Sequence, residues 1–155
     1  AAANPAYPGI APGARIVSLR VLDSTGAGKA SSVIDAIDWA IENRGRYNIS
    51  VINLSLGGPV TSSFQDDPLC EAAERAVAAG ITVVAAAGNY GQTPDGSKTI
   101  FGSITSPAND PAVIAVGALD TRGTAVRSDD RIAKFSSRGP TMWPSACTGF
   151  VGQAK

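Results

Sequence analysis

The sequence has no histidine, and this absence excludes the most familiar catalytic arrangements. Histidine is the commonest general base near neutral pH, because its unperturbed pKa is about 6.5. Neither a Ser-His-Asp nor a Cys-His pair can therefore form within these 155 residues. Any catalysis by this chain alone must use other chemistry.

Cysteine is scarce, charge is balanced and long apolar runs are missing. Two cysteines, Cys70 and Cys147, lack metal-ligand spacing, so neither a metal nor a cofactor is expected. The 13 basic residues match the 13 acidic ones, which gives no reason to expect nucleic acid as a partner. No apolar run approaches the roughly 20 residues that span a bilayer. No membrane partner is expected, and because no signal peptide is visible the location stays unknown.

Apolar runs alternate with apolar stripes of helical spacing along the chain. Strands are predicted at residues 16–22, 51–55, 81–87 and 113–119, with a short one at 134–136. One helix is expected to be capped by Ser31 or Ser32, and another to start at Asp67 and stop at Gly80. This order predicts one α/β domain, a doubly wound, mostly parallel sheet with helices on both faces.

Three glycine-bearing segments follow predicted strands, at residues 23–28, 55–58 and 88–89. Ligands of open α/β sheets bind beyond the carboxyl ends of the strands. Each segment could equally be a turn, since glycine after a strand is common. The first also resembles the start of a dinucleotide fingerprint, but Ser31 stands where the third glycine is needed. Nucleotide binding is not expected.

Taken together, four segments resemble the subtilisin-like (subtilase) serine peptidases in order and spacing. They are Gly-Ile-Ala-Pro-Gly-Ala at 9–14, Val-Ile-Asn-Leu-Ser-Leu-Gly-Gly at 51–58, Val-Val-Ala-Ala-Ala-Gly-Asn at 83–89 and Phe-Ser-Ser-Arg-Gly-Pro at 135–140. The resemblance covers residues 8–141. Members of this family are typically secreted and bind peptides.

The resemblance implies a substrate cleft. Asn89 matches the asparagine whose side-chain amide donates to the oxyanion. Two matching segments form the walls of the pocket for the residue before the scissile bond: Ser55, Leu56, Gly57 and Gly58, and Ala86, Ala87 and Gly88. The residues Gly26, Ala27 and Gly28 match the edge that pairs with an extended peptide. A peptide or a small ester is the implied substrate.

The sequence departs from the family pattern at both ends. The family's catalytic aspartate and His-Gly-Thr helix have no counterpart before residue 9, and its Gly-Thr-Ser-Met-Ala nucleophile motif has none after residue 140. Residues 142–155 do not resemble the family. The chain is therefore interpreted as a truncated fragment, with a subtilisin-like core at 1–141 and a non-family tail at 142–155.

Two hypotheses remain open for function. In the first, the preserved cleft supports at most weak, esterase-like hydrolysis, with Ser55 as the candidate nucleophile although no base adjoins it in sequence. Cys70 lies near a helix start, which could lower its thiol pKa, or it packs as a small apolar residue. In the second, the chain is an inactive pseudo-protease that binds peptides or forms homo-oligomers.

Overall fold

The computed structural model describes residues 9–141. Its helices are α1 (Ala30–Glu42), α2 (Arg44–Tyr47) and α3 (Pro68–Ala78), with 3-10 turns at Phe64–Asp66 and Arg127–Asp129. Its strands are β1 (Val51–Leu54), β2 (Thr82–Ala86), β3 (Ile114–Val116), β4 (Leu119–Asp120) and β5 (Arg131–Ile132). The predicted tail at 142–155 lies outside the described residues.

The sheet that carries the candidate site has three parallel strands in the order β1-β2-β3. Leu54 pairs with Ala85, and Ala85 pairs with Ala115, so the carboxyl ends of β1 and β2 lie side by side. A separate antiparallel pair joins β4 to β5. The predicted α/β class with a parallel sheet is confirmed.

The starts of the two long helices show where local sequence signals succeed and where they fail. At α3 the prediction is confirmed: the Asp67 side chain accepts from the Leu69 N–H at 2.9 Å, and Pro68 occupies the first turn. At α1 the predicted cap is wrong. The helix starts at Ala30, so Ser31 lies inside its first turn, and the capping position falls on Lys29, which makes no side-chain cap.

The core lies between the sheet and the two long helices, α1 and α3, which pack against each other. On β2, Val83 and Ala85 are buried while Val84 and Ala86 on the alternate face are half-buried. The buried cluster comprises Val33, Ile37, Leu54, Leu69, Ala72, Ala73, Ala76, Ile81, Val83, Ala85, Ala108 and Val113. Its many alanines allow α3 to approach the sheet closely.

Residues 16–22, predicted as a strand, form none in the structure. A strand needs a hydrogen-bonded neighbour, and here a cleft of about 520 Å³ lies between this segment, α1 and the edge of β1. Ile16 is 71% exposed, so the segment also buries little apolar surface. The strand predicted at 134–136 is wrong as well, because the pairing with β4 is made by Arg131–Ile132 and the next residues turn.

Candidate functional site

Two of the predicted substrate-binding segments leave the sheet at the same edge. Because Leu54 pairs with Ala85, Ser55 follows β1 beside the end of β2 at Ala86. The parallel register thus places the segment Ser55 to Gly58 next to the segment Ala86 to Gly88. We call these segments the first wall and the second wall.

A strut formed by Thr105 and Ser106 joins the two walls. Ser106 exchanges two backbone hydrogen bonds with Gly58 of the first wall, each 3.0 Å long. Thr105 donates its N–H to the Ala87 carbonyl of the second wall at 3.0 Å, and its hydroxyl lies 3.3 Å from the same oxygen. Both strut residues are buried. The distance between the walls is therefore fixed by ordered hydrogen bonds.

The first wall needs glycine where it passes the strut. A Cβ atom at Gly57 would lie 2.6 Å from the Thr105 hydroxyl oxygen and 2.9 Å from the Ser106 carbonyl oxygen. Real Cβ atoms do not approach so closely, so a side chain here would push wall and strut apart.

The turn at Gly88 and Asn89 is held by Ser137. The Ser137 N–H donates to the Gly88 carbonyl at 2.9 Å, and the Ser137 hydroxyl accepts from the Tyr90 N–H at 3.1 Å. Gly88 has φ +110°, and a Cβ atom there would lie 2.7 Å from the Ser137 hydroxyl. The turn therefore depends on glycine and on a partner nearly 50 residues away in sequence.

Asn89 is exposed at the end of this turn. Within residues 9–141 its side-chain amide makes no hydrogen bond, while the backbone on both sides of it is held by Ser137. A fixed backbone with an uncommitted amide is suited to donate to a negative charge that develops on a substrate oxygen.

Ser55 is exposed, and in the part of the chain that the structure describes its hydroxyl is not hydrogen-bonded to a base. Its hydroxyl oxygen accepts from the Asn53 side-chain amide at 2.9 Å, and a neutral amide N–H is not a base. Ser136 and Ser137 are buried, and their hydroxyls accept from the N–H groups of Ala118 and Tyr90. Among these serines, only Ser55 can meet a substrate.

The segment from Asp23 to Gly28 forms a compact loop with its own hydrogen bonds. The Asp23 N–H donates to the Ala27 carbonyl at 2.8 Å, and the Asp23 carboxylate accepts from the N–H groups of Thr25 and Ala27. Gly26 has φ +81°, a left-handed conformation that favours glycine. The hydrogen bonds from Thr25 and Ala27 lower the pKa of Asp23, which keeps its carboxylate ionised.

Two titratable groups beside the strut, Cys70 and Asp110, are buried and so are not exposed to a substrate. Burial raises the pKa of Cys70 to about 12, and its thiol donates to the Asn109 side-chain oxygen at 3.6 Å. Of the two readings of Cys70, the packed small residue agrees with the structure, because its side chain is fully buried and desolvation outweighs any effect of the helix start. Burial also raises the pKa of Asp110 to about 6.

Residues 9–141 contain no group of three or more His, Cys, Asp or Glu side chains placed to hold a metal ion. In the same part of the chain, no helix has both the length and the apolar character that crossing a bilayer requires.

The fold and the site define an α/β protein with two glycine-lined walls and an exposed amide at one edge of a parallel sheet. The sequence profile of the subtilase family (Peptidase_S8) matches residues 1–148. The chain therefore belongs to the subtilase family, and the resemblance seen in the sequence is confirmed.

Individual relatives agree with this assignment. The chain is 42% identical over 142 residues to serine protease AprX of Bacillus subtilis, covering 88% of this chain and 30% of that protein. It is 44% identical over 134 residues to subtilisin E of the same species, covering 86% of this chain and 30% of that protein. The chain thus spans about 30% of the length of these relatives.

Solved structures give the same result for the fold. A psychrophilic protease named S41 matches with a TM-score of 0.60 and 35% identity, covering 77% of this chain and 35% of that one. Sphericase matches with a TM-score of 0.62 and 31% identity, covering 77% of this chain and 34% of that one.

Sequence reasoning missed the residues that hold the site together. Thr105 and Ser137 bridge segments distant in sequence, and no local pattern marks them. Asp23 was not among the candidate site residues either, although its carboxylate organises the loop that carries three of them. A local signal existed for Asp23, since aspartate two residues before threonine or serine often forms a side-chain turn.

Proposed function

We propose that this chain forms the substrate-binding part of a subtilisin-like serine hydrolase. In this proposal the first and second walls enclose the residue before the scissile bond, and Asn89 donates to the oxyanion. The observation that carries it is the exposed Asn89 amide, with no partner in residues 9–141, next to two walls joined by the strut. The substrate class is an extended peptide or a small activated ester.

Without histidine in the sequence, we expect the isolated chain to hydrolyse activated esters weakly at most. Ser55 is the candidate nucleophile, because it is exposed and lies on the first wall. With no base hydrogen-bonded to it in residues 9–141, attack must depend on the small fraction of serine that loses its proton to water. Oxyanion stabilisation and substrate binding still contribute, as subtilisin without its triad shows with a residual 10³- to 10⁴-fold rate over water, a known value for that enzyme.

The test is p-nitrophenyl ester hydrolysis by purified chain and by the variants Asn89→Ala and Ser55→Ala. Removing one oxyanion donor is known in subtilisin to lower turnover by about 10² to 10³, so Asn89→Ala should lower any rate above buffer by a similar factor. Ser55→Ala should abolish any acyl-enzyme burst. An equal rate in wild type and Asn89→Ala, at matched folding by circular dichroism, would contradict the proposal.

A second candidate is a non-enzymatic chain that binds peptides or self-associates. It is favoured by β3, the edge strand whose residues Ile114 and Val116 are 53% and 50% exposed. An exposed apolar edge strand is a template for pairing with another chain. Sedimentation velocity distinguishes the candidates: oligomers that dissociate in Val116→Lys favour this one, and a monodisperse monomer excludes self-association.

A further inference from the structure

Asp23 differs from an ordinary exposed acidic residue, because one of its oxygens accepts three hydrogen bonds. Oδ1 lies 2.8 Å from the Thr25 N–H nitrogen, 2.6 Å from the Thr25 hydroxyl and 3.0 Å from the Ala27 nitrogen. Charge-assisted hydrogen bonds of this kind are stronger than neutral ones. The loop from Asp23 to Gly28 is therefore organised around one carboxylate.

These hydrogen bonds fix the directions in which the backbone groups of Ala27 and its two neighbours point. Both backbone groups of Ala27 point inward, since its N–H donates to the carboxylate and its carbonyl accepts from the Asp23 N–H at 2.8 Å. Within residues 9–141, no backbone hydrogen bond uses the Gly26 carbonyl or the Gly28 N–H. These two groups flank an inward-facing residue, which is the alternation that a pairing edge requires.

The base of the loop cannot slide to compensate for a change at Asp23. A Cβ atom at Gly28 would lie 2.6 Å from the Val21 carbonyl oxygen and 2.7 Å from the Leu22 side chain. Gly28 is thus packed tightly against the preceding segment, whereas Gly26 has open space around it. The conformation of the unpacked side of the loop, which contains Gly26, therefore depends on the hydrogen bonds of Asp23.

We propose that Asp23 is a positioning residue that holds Gly26 and Gly28 ready to pair with the main chain of an extended peptide. The inference rests on the proposed function, because it concerns the same cleft. It goes further by assigning to a side chain outside the cleft the geometry of the peptide-pairing edge. A bound peptide adds to this edge as a strand does, through backbone hydrogen bonds.

The experiment compares substrates that do and do not reach the edge. p-Nitrophenyl acetate is too short to reach it, whereas the p-nitrophenyl ester of an N-acetylated tetrapeptide is long enough. In Asp23→Ala we expect KM for the tetrapeptide ester to rise about tenfold with kcat unchanged, as one or two net hydrogen bonds to the peptide are lost. Hydrolysis of the acetate should not change. Asp23→Asn keeps an acceptor oxygen and should restore most of the affinity.

Asp95 supplies a matched control, because its Oδ1 also accepts from the N–H and the hydroxyl of a residue two positions on, Ser97. Its loop contains none of the candidate site residues. Asp95→Ala should lower stability as Asp23→Ala does, yet leave KM for the tetrapeptide ester unchanged. An equal rise of KM in both variants would reduce Asp23 to a general structural role and overturn the inference.

Binding of a fluorescein-labelled N-acetyl tetrapeptide, followed by anisotropy, separates this inference from the proposed function. If no ester is hydrolysed, the hydrolytic proposal fails, but tenfold weaker peptide binding in Asp23→Ala would still support the positioning role. If esters are hydrolysed and Asn89→Ala is inactive, the proposed function stands. Equal peptide binding in wild type and Asp23→Ala, or no binding by wild type, would then overturn the inference alone.

Discussion

The turn at Gly88 and the loop from Asp23 to Gly28 both follow a predicted strand, and both present glycine to the candidate cleft, but they are held in opposite ways. The turn is fixed by residues that are distant in sequence. Ser137 donates its N–H to the Gly88 carbonyl, Thr105 donates its N–H to the Ala87 carbonyl, and the side chains of both lie close to Gly88. The loop is fixed from within by the Asp23 carboxylate. One depends on the fold, and the other largely on its own sequence.

This difference predicts how far a substitution in each region disturbs the rest of the folded structure. A change that disturbs the turn also disturbs the strut and the second wall, which belong to the cooperatively folded part of the chain. A change that disturbs the loop can be confined to a few exposed residues. Matched substitutions in the two regions should therefore have unequal effects on the free energy of unfolding.

The largest contrast is expected between Gly88→Ala and Gly26→Ala. Both glycines have positive φ, +110° and +81°, so alanine is strained at either position. At Gly88 the new methyl group also meets the Ser137 hydroxyl at 2.7 Å, whereas at Gly26 nothing lies within 4 Å. We expect a loss of about 3 to 5 kcal/mol for Gly88→Ala and about 1 to 2 kcal/mol for Gly26→Ala.

Urea unfolding followed by circular dichroism measures both values from the shift in midpoint. Similar losses in the two variants would show that the crowding at Gly88 relaxes at little cost, and the contrast between turn and loop would fail. A larger loss for Gly26→Ala would reverse it.

Two aspartates extend the contrast to pH. Asp110, beyond the strut, is 2% exposed, and its Oδ2 has no hydrogen-bond partner in the described residues. Burial raises its pKa to about 6, assisted by the charges of Glu74 on α3 and of Asp67 at its cap, while the Ala112 N–H opposes the shift. In the loop, hydrogen bonds lower the pKa of Asp23.

The two aspartates therefore make the free energy of unfolding depend on pH in opposite directions. A carboxyl with a raised folded pKa favours folding most when it is protonated, so its contribution is complete below about pH 4 and is lost as pH rises through about 6. Asp110→Asn should therefore stabilise the chain at pH 8 by about 1 to 3 kcal/mol and matter little at pH 4.

Asp23→Asn should be mildly destabilising at pH 8, and this effect should shrink as pH falls below the usual range of an aspartate. Unfolding midpoints at pH 4 and 8 test Asp110→Asn, and a further midpoint at about pH 2 tests Asp23→Asn. An Asp110→Asn effect that does not grow with pH, or an Asp23→Asn effect that does not shrink at the lowest pH, would contradict the assignment.

Sequence reasoning predicted the parts of this structure that local chemistry determines. Asp67 and Pro68 mark a helix start by themselves, and the apolar run of β2 marks a central strand. The strand predicted at 16–22 did not form, since apolar alternation cannot supply a hydrogen-bonded neighbour. The cap expected at Ser31 was displaced to Lys29 because α1 extends two residues further toward its start.

The candidate site divides in the same way. The two wall segments and Asn89 could be singled out as candidates from the sequence because their residues fall together in short, recognisable segments. Thr105 and Ser137 were not, since each acts on a backbone group far away in the chain, and only the folded structure brings them together. The roles of Asn89, Ser55 and the walls in catalysis and binding stay predictions.

The smallest contrast separates two threonine hydroxyls. The Thr105 hydroxyl is buried and lies 3.3 Å from the carbonyl oxygens of Ala86 and Ala87, whereas the exposed Thr25 hydroxyl donates to Asp23. Valine keeps the shape of each side chain and removes the hydroxyl. We expect Thr105→Val to cost about 1 kcal/mol, since the buried carbonyls lose a donor, and Thr25→Val to cost about half of that or less, since water replaces the hydroxyl. Urea midpoints decide the order, and a larger cost for Thr25→Val would mean that the loop, and not the strut, carries the greater share of stability.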